Sequence, residues 1–230
     1  MGFYLYSASV KGPGHMAENM PNQDDVITRQ WNNEWMAVVS DGMGSRKHAK
    51  AGSMYACQAV QNIIQKSSFD IPSRDLIFLV YKQWLAFLGF IKPDDAATTC
   101  LIAWGKNSGE TRLFQLGDGL ILYEANESGQ LSYRKNNQFS NETIGLGISR
   151  KFSDWAMKEI LINKKNQGLA LMTDGIGDDL IQTNLFVHYM IRTLRNMKKR
   201  QRKRWMINEL ENWPTPGHID DKTIAIIYRK

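Results

Sequence analysis

Twice in this chain an apolar run ends in a hydroxyl residue, an aspartate and a glycine. The first is Trp35-Met36-Ala37-Val38-Val39-Ser40-Asp41-Gly42, the second Leu169-Ala170-Leu171-Met172-Thr173-Asp174-Gly175. Short apolar runs closed by turn formers read as buried strands. A carboxylate at the end of such a strand, followed by a residue without a side chain, is aimed off the sheet together with bare backbone. Asp-Gly alone is an ordinary turn signal; the weight lies in the recurrence. Asp118 is held between Gly117 and Gly119 where another apolar segment ends, and Asp220-Asp221 precedes a final strand, Thr223 to Tyr228. The chain must therefore fold so that the strand ends carrying Asp41, Asp118, Asp174 and Asp220 are accommodated together or kept apart.

The order of elements narrows the choice. Phe3–Val10 alternates as a strand, and the glycine- and proline-bearing stretch Lys11–Pro21 reads as loop. Val26-Ile27-Thr28 and Glu34–Ser40 form a hairpin about Asn32-Asn33, which brings Gln23 and Asp24 beside Asp41. Helical spacing runs from Arg46 to Lys66 and again from Ser73, read as an N-cap, to Phe87. Strands follow over Ala97–Trp104, Thr111–Leu116 and Leu120–Tyr123, with a further one at Leu131–Arg134. Residues 135–153 read as a loop or flap. Trp155–Ile162 and Gly168–Thr173 read as strands, and a helix spans Asp179 toward Met197, with a break near the basic cluster. Strands grouped in succession, with helices set apart, define an α+β fold with antiparallel sheets over 1–230, not a parallel doubly wound one.

The 230 residues carry a formal charge of +6, much of it in Lys198-Lys199-Arg200-Gln201-Arg202-Lys203-Arg204. Such a cluster suits a solvated helix face or an acidic partner, and too few aromatics interleave it for a nucleic-acid stacking platform. No run of about 18 apolar residues suggests a membrane span. The N-terminus does not resemble a signal peptide, and Cys57 and Cys100 read as buried free thiols, so a cytoplasmic location is expected.

Converging carboxylates repel. Two charges 4 Å apart cost roughly 1 kcal/mol in water and about 4 at a typical protein dielectric. A cluster of them protonates or recruits cations, and oxygen donors without His or Cys at metal spacing favour Mg²⁺ or Mn²⁺ over zinc. Two such ions can share a water, lower its pKa and hold a phosphoryl oxygen. The sequence has no nucleophile elbow and no phosphate-cradling Gly-x-x-x-x-Gly-Lys loop. Metal-assisted hydrolysis needs neither.

Asn22-Gln23-Asp24, Ser40-Asp41-Gly42-Met43-Gly44, Ala97-Thr98-Thr99, Leu116-Gly117-Asp118-Gly119, Thr173-Asp174-Gly175-Ile176-Gly177-Asp178 and Asp220-Asp221-Lys222-Thr223 occur in the order of the serial motifs of the PPM/PP2C-type serine/threonine phosphatases. The resemblance spans nearly the whole chain and is greatest to the small bacterial branch. It implies an α/β/β/α sandwich of two antiparallel sheets flanked by helices. It also implies hydrolysis of phosphoserine and phosphothreonine in proteins by a water bridging two Mg²⁺ or Mn²⁺ ions. Asp41 and the Gly42 carbonyl, with Asp174 and Asp220, would hold the ions. Asp118 and Asp178 match the positions of a weaker third ion, and Gln23, Asp24 and Asp221 would stand behind the ligands. A phosphoprotein substrate and a cognate kinase are the implied partners. Two departures stand out. Asn19 occupies the place of a phosphate-gripping arginine, and Met43 that of a histidine general acid found in some eukaryotic members. His15, Arg46, Lys47 and His48 are the local replacements. A phosphatase-like module that binds phosphoproteins without turnover is the alternative.

Overall fold

The computed structural model describes residues 2–131, 144–181, 183–214 and 219–230. Among the described residues, ten strands form two five-stranded antiparallel sheets. The first joins β1 (Phe3–Val10), β10 (Lys222–Arg229), β9 (Gly168–Met172), β6 (Leu120–Glu124) and β7 (Ser128–Leu131), in that spatial order. The second joins β2 (Asp24–Trp31), β3 (Glu34–Asp41), β4 (Cys100–Lys106), β5 (Glu110–Leu116) and β8 (Ala156–Leu161). Helices α2 (Ala49–Ile64) and α3 (Ser73–Leu88) cover the second sheet. Helices α5 (Thr183–Asn196) and α6 (Lys199–Glu211) cover the first.

Strand periodicity explains why β3 reads as an unbroken apolar run. Successive side chains face opposite sides of a sheet. Trp35, Ala37 and Val39 enter the core between the sheets, with Leu101, Leu113, Ile121, Leu171 and Ile227. Met36 and Val38 face the other way, into the core beneath α2 and α3 that also holds Val60, Leu76 and Trp84. A strand covered on both faces has no solvent side to populate with polar residues. The same holds for β10, where Ala225 and Ile227 face the inter-sheet core while Ile224, Ile226 and Tyr228 meet α5 and α6.

The expected order of elements is found, with local corrections. A five-residue helix α1 (Pro13–Ala17), with proline in its first turn, interrupts the stretch read as loop. Ser73 is the first helical residue rather than the cap; Pro72 takes the cap position, and the Ser73 hydroxyl accepts a hydrogen bond from Arg112 at 2.9 Å. The helix read from Asp179 is preceded by a separate one-turn helix, α4 (Asp174–Gly177), and α5 begins only at Thr183. The indole of Trp213 donates to the Asp179 carboxylate at 2.8 Å, which fixes the chain between the two helices. β7 ends at Leu131, and residues 132–134 of the strand read there lie outside the described residues. So do residues 135–143 of the expected flap; its remainder includes a bridge between Leu146 and Thr98 and a 3-10 turn at Phe152–Asp154.

The basic cluster divides on α6. Arg202 is buried, its guanidinium 5.2 and 5.4 Å from the rings of Tyr4 and Tyr6 and donating to the Tyr6 hydroxyl at 2.6 Å. Lys199, Arg200, Lys203 and Arg204 are exposed. One arginine thus docks the helix, and the others form a solvated face. Cys57 and Cys100 are buried free thiols, and burial pushes both above the usual thiol range. Among the described residues no helix is long and apolar enough to cross a membrane.

Candidate metal centre

Antiparallel pairing places the first two acids. In the β2–β3 ladder Asp24 lies directly opposite Asp41. Asp41 is then clamped by the strand beside it. Its N–H donates to the Thr99 hydroxyl at 2.9 Å, its carbonyl accepts from the Thr99 N–H at 2.8 Å, and the Thr98 hydroxyl donates to the same carbonyl at 2.6 Å. The Ser40 hydroxyl donates to the Thr99 carbonyl at 2.6 Å. On the other sheet the Thr173 hydroxyl donates to Asp24 at 2.9 Å and accepts from the Thr223 N–H at 3.1 Å. The residue before each repeated Asp-Gly is therefore a fastener between strands, and Thr173 ties the two sheets together beneath the acids. The sequence displayed these hydroxyls at a fixed place in the repeat, but their role was not legible without the pairing.

Asp41, Asp118, Asp174 and Asp220 all line one open cleft of about 490 Å³. Its walls also carry His15, Gln23, Gly42, Met43, Arg46 and Thr99, and Glu18 stands exposed beside them. Asp24 is buried behind, and Asp178, Lys47 and His48 do not line the cleft; Asp178 is exposed after the last turn of α4. Asn19 adopts a left-handed φ of 54° in an exposed turn and likewise does not line the cleft. Asparagine suits that backbone, and its side chain does not substitute for the missing arginine. Arg46 does line the cleft, with its guanidinium 3.2 Å from the Asp94 carboxylate.

Asp220 and Asp221 divide their labour. The Asp221 carboxylate is 2% exposed and accepts from the Gly12 N–H at 2.7 Å and the Gln23 N–H at 2.6 Å, and it is 2.8 Å from His15 Nδ1. Its oxygens are taken by the protein. Asp220 is exposed and faces the cleft. His15, Asp220 and Asp221 offer donor atoms all within 4.8 Å of one another, but the bonds to Asp221 leave Asp220 as the acid of the pair open to a ligand.

The glycines serve packing as much as access. A Cβ on Gly42 would lie 2.3 Å from the Ala49 carbonyl oxygen, and one on Gly175 only 2.0 Å from that of Asp221. Close backbone approach brings α2 and the Asp220-Asp221 segment against the acids, which only glycine permits.

The electrostatics follow from this crowding. Burial, then the charges of Asp24, Asp174 and Asp220, hold the Asp41 carboxyl well above the usual carboxylate range. Burial and neighbouring Asp221 and Asp174 push Asp24 up to about 8, against hydrogen bonds from Thr223 and Thr173. Burial and the charge of Asp118 raise Asp174 to about 6. Gln23 is 3% exposed and lines the cleft, yet its Oε1 has no hydrogen-bond partner among the described residues. Buried acceptors are rarely left so. The crowded carboxylates and the orphaned amide oxygen are oxygen donors, and the His15 imidazole beside them is engaged with Asp221 through Nδ1; a cleft in which oxygen donors predominate fits a hard divalent cation.

The profile of the family described as Protein phosphatase 2C matches residues 11–213, and the chain belongs to that family. A search of curated proteins returns no significant match. Among solved structures, the serine/threonine phosphatase of S. agalactiae superimposes with a TM-score of 0.68 at 14% identity, over 99% of this chain and 100% of that one. RsbX, solved in complex with magnesium, gives a TM-score of 0.63 at 12% identity, over 98% and 94%. The phosphatase domain of SpoIIE from Bacillus subtilis, with a fragment of its regulatory domain, gives 0.63 at 16% identity; this chain is covered in full but spans only 64% of that one. At these identities the likeness is one of fold.

Proposed function

We propose that this chain is a Mg²⁺- or Mn²⁺-dependent phosphatase that hydrolyses phosphoserine and phosphothreonine in proteins. One observation carries the reading: acids from separate strand ends, Asp41, Asp118, Asp174 and Asp220, line a single cleft. A phosphate dianion entering it would face several like charges, each repulsion worth about 4 kcal/mol at 4 Å and a typical protein dielectric. Cations reverse that sign. Asp41, the Gly42 carbonyl, Asp174 and Asp220 would hold two ions, with Asp118 toward a third. When bound, the ions supply an activated water and charge neutralisation at the phosphoryl group.

The chain's own residues do the rest. Thr98 and Thr99 fix the main chain of Asp41 from both sides of its peptide. Thr173 holds Asp24 in place behind it. Arg46 sets a guanidinium on the cleft wall, suited to the phosphate oxygens. RsbX carries magnesium in its solved complex, which supports the choice of ion.

The test is hydrolysis of p-nitrophenyl phosphate with manganese, with excess chelator, and with Asp174→Asn. Hydrolysis only by the manganese-loaded native protein is expected. Equal rates in all three would end the reading. Manganese uptake with no turnover, together with capture of a phosphopeptide, would favour the binding module instead.

A further inference from the structure

Resting on the phosphatase reading, we propose that His15 protonates the seryl or threonyl oxygen as it leaves the phosphate. Water attacking a phosphate monoester dianion breaks the P–O bond to the side chain and leaves its electron pair on an alkoxide oxygen. An alkoxide is a poor leaving group, so a positioned acid accelerates its departure. Met43 lines the cleft but has no proton to give. Arg46 lines it too, but a guanidinium does not surrender its proton. Lys47 and His48 do not line it.

His15 is placed differently. It stands on α1 and lines the cleft with Asp41, Asp174 and Asp220. Its side chain is 18% exposed, and its Nδ1 lies 2.8 Å from an oxygen of Asp221, itself 2% exposed. Asp221 is held by the Gly12 and Gln23 N–H groups, from the two segments that flank α1. A carboxylate only accepts, so the Nδ1 hydrogen is held toward Asp221, and the imidazolium's second hydrogen is the one on Nε2. The proton count closes. Nε2 gives its proton to the alkoxide, and the neutral imidazole recovers one from the H₂PO₄⁻ formed when water adds to phosphorus. Asp221 is a positioning residue in this scheme.

Leaving-group dependence tests it. A phosphoserine peptide releases an alkoxide, whereas p-nitrophenyl phosphate releases a phenolate that departs without a proton. His15→Gln and His15→Asn are each expected to lower kcat/KM for the peptide about a hundredfold or more, with the loss on the aryl phosphate at least about tenfold smaller on the same principle. Far-UV circular dichroism and the thermal midpoint show that the variants are folded, and His15→Asn keeps an N–H for Asp221. Manganese uptake by calorimetry is expected to match the native protein. Equal losses on both substrates in both variants, no loss on either, or loss of manganese uptake would each overturn the role of His15. If the native protein hydrolyses neither substrate, it is the phosphatase reading itself that falls.

Discussion

Asp41→Asn is expected to make the chelator-treated protein more stable while abolishing hydrolysis. The stability effect follows from linkage. Asp24, Asp41 and Asp174 all have folded pKa values raised above the ordinary 3.8. For such acids the folded state binds more protons than the unfolded state at intermediate pH. Their stabilising share is thus complete below pH 3.8 and is lost as pH rises toward the folded values, about 6 for Asp174 and about 8 for Asp24. Each group loses at most about 1.4 kcal/mol per pH unit across its window. The metal-free native protein should therefore show a falling thermal midpoint from pH 5 to pH 8. Asp41→Asn removes the most crowded charge, which flattens that fall and raises stability at pH 8 by about 1–3 kcal/mol. Turnover should drop about a thousandfold or more, since ion-derived stabilisation of several kcal/mol is lost. Denaturant melts with chelator at both pH values, with manganese-dependent rates alongside, check both. A variant less stable than native at pH 8 would contradict the crowding.

Gly175→Ala has the second large effect, and its cause is steric. The added Cβ would sit 2.0 Å from the Asp221 carbonyl oxygen, which is backbone and has no rotamer to yield. Asp221 also anchors Gly12, His15 and Gln23, so a shift there spreads through the cleft. A loss of about 3 kcal/mol is expected, together with loss of activity at temperatures where the protein stays folded. Gly89→Ala is the control. Its φ of 58° with ψ of −108° lies outside the regions open to L-residues and carries a penalty of about 1–3 kcal/mol, but among the described residues nothing lies within 4 Å of the new Cβ, and the cleft is untouched. Urea unfolding of both variants separates the two costs.

These effects show what was and was not legible in the chain. The Asp24–Asp41 pairing was legible because a hairpin fixes register from one turn, and β2 and β3 do pair in that way. The repeated Asp-Gly device was legible because a strand end is a local feature. Asp178 was not: whether it reaches the cleft depends on where a one-turn helix stops, which no periodicity reports at that length. α1 was hidden for the same reason, since five residues beginning at a proline look like the loop around them. The reason for Gly175 was hidden too. Its neighbour, Asp221, lies far along the chain, and no local pattern names a contact across a fold. His15, Arg46, Lys47 and His48 are equal candidates in the sequence; only the fold puts His15 and Arg46 on the cleft, and the tertiary bond to Asp221 then sets His15 apart.

Calorimetric titration of chelator-treated protein with manganese near pH 7.5, repeated with Asp41→Asn, puts the most direct question to the carboxylate cleft. Saturable uptake of two or more ions with proton release, reduced by the substitution, is the predicted outcome. Heats no larger than dilution in the native protein would mean that these acids are gathered for some purpose other than holding cations.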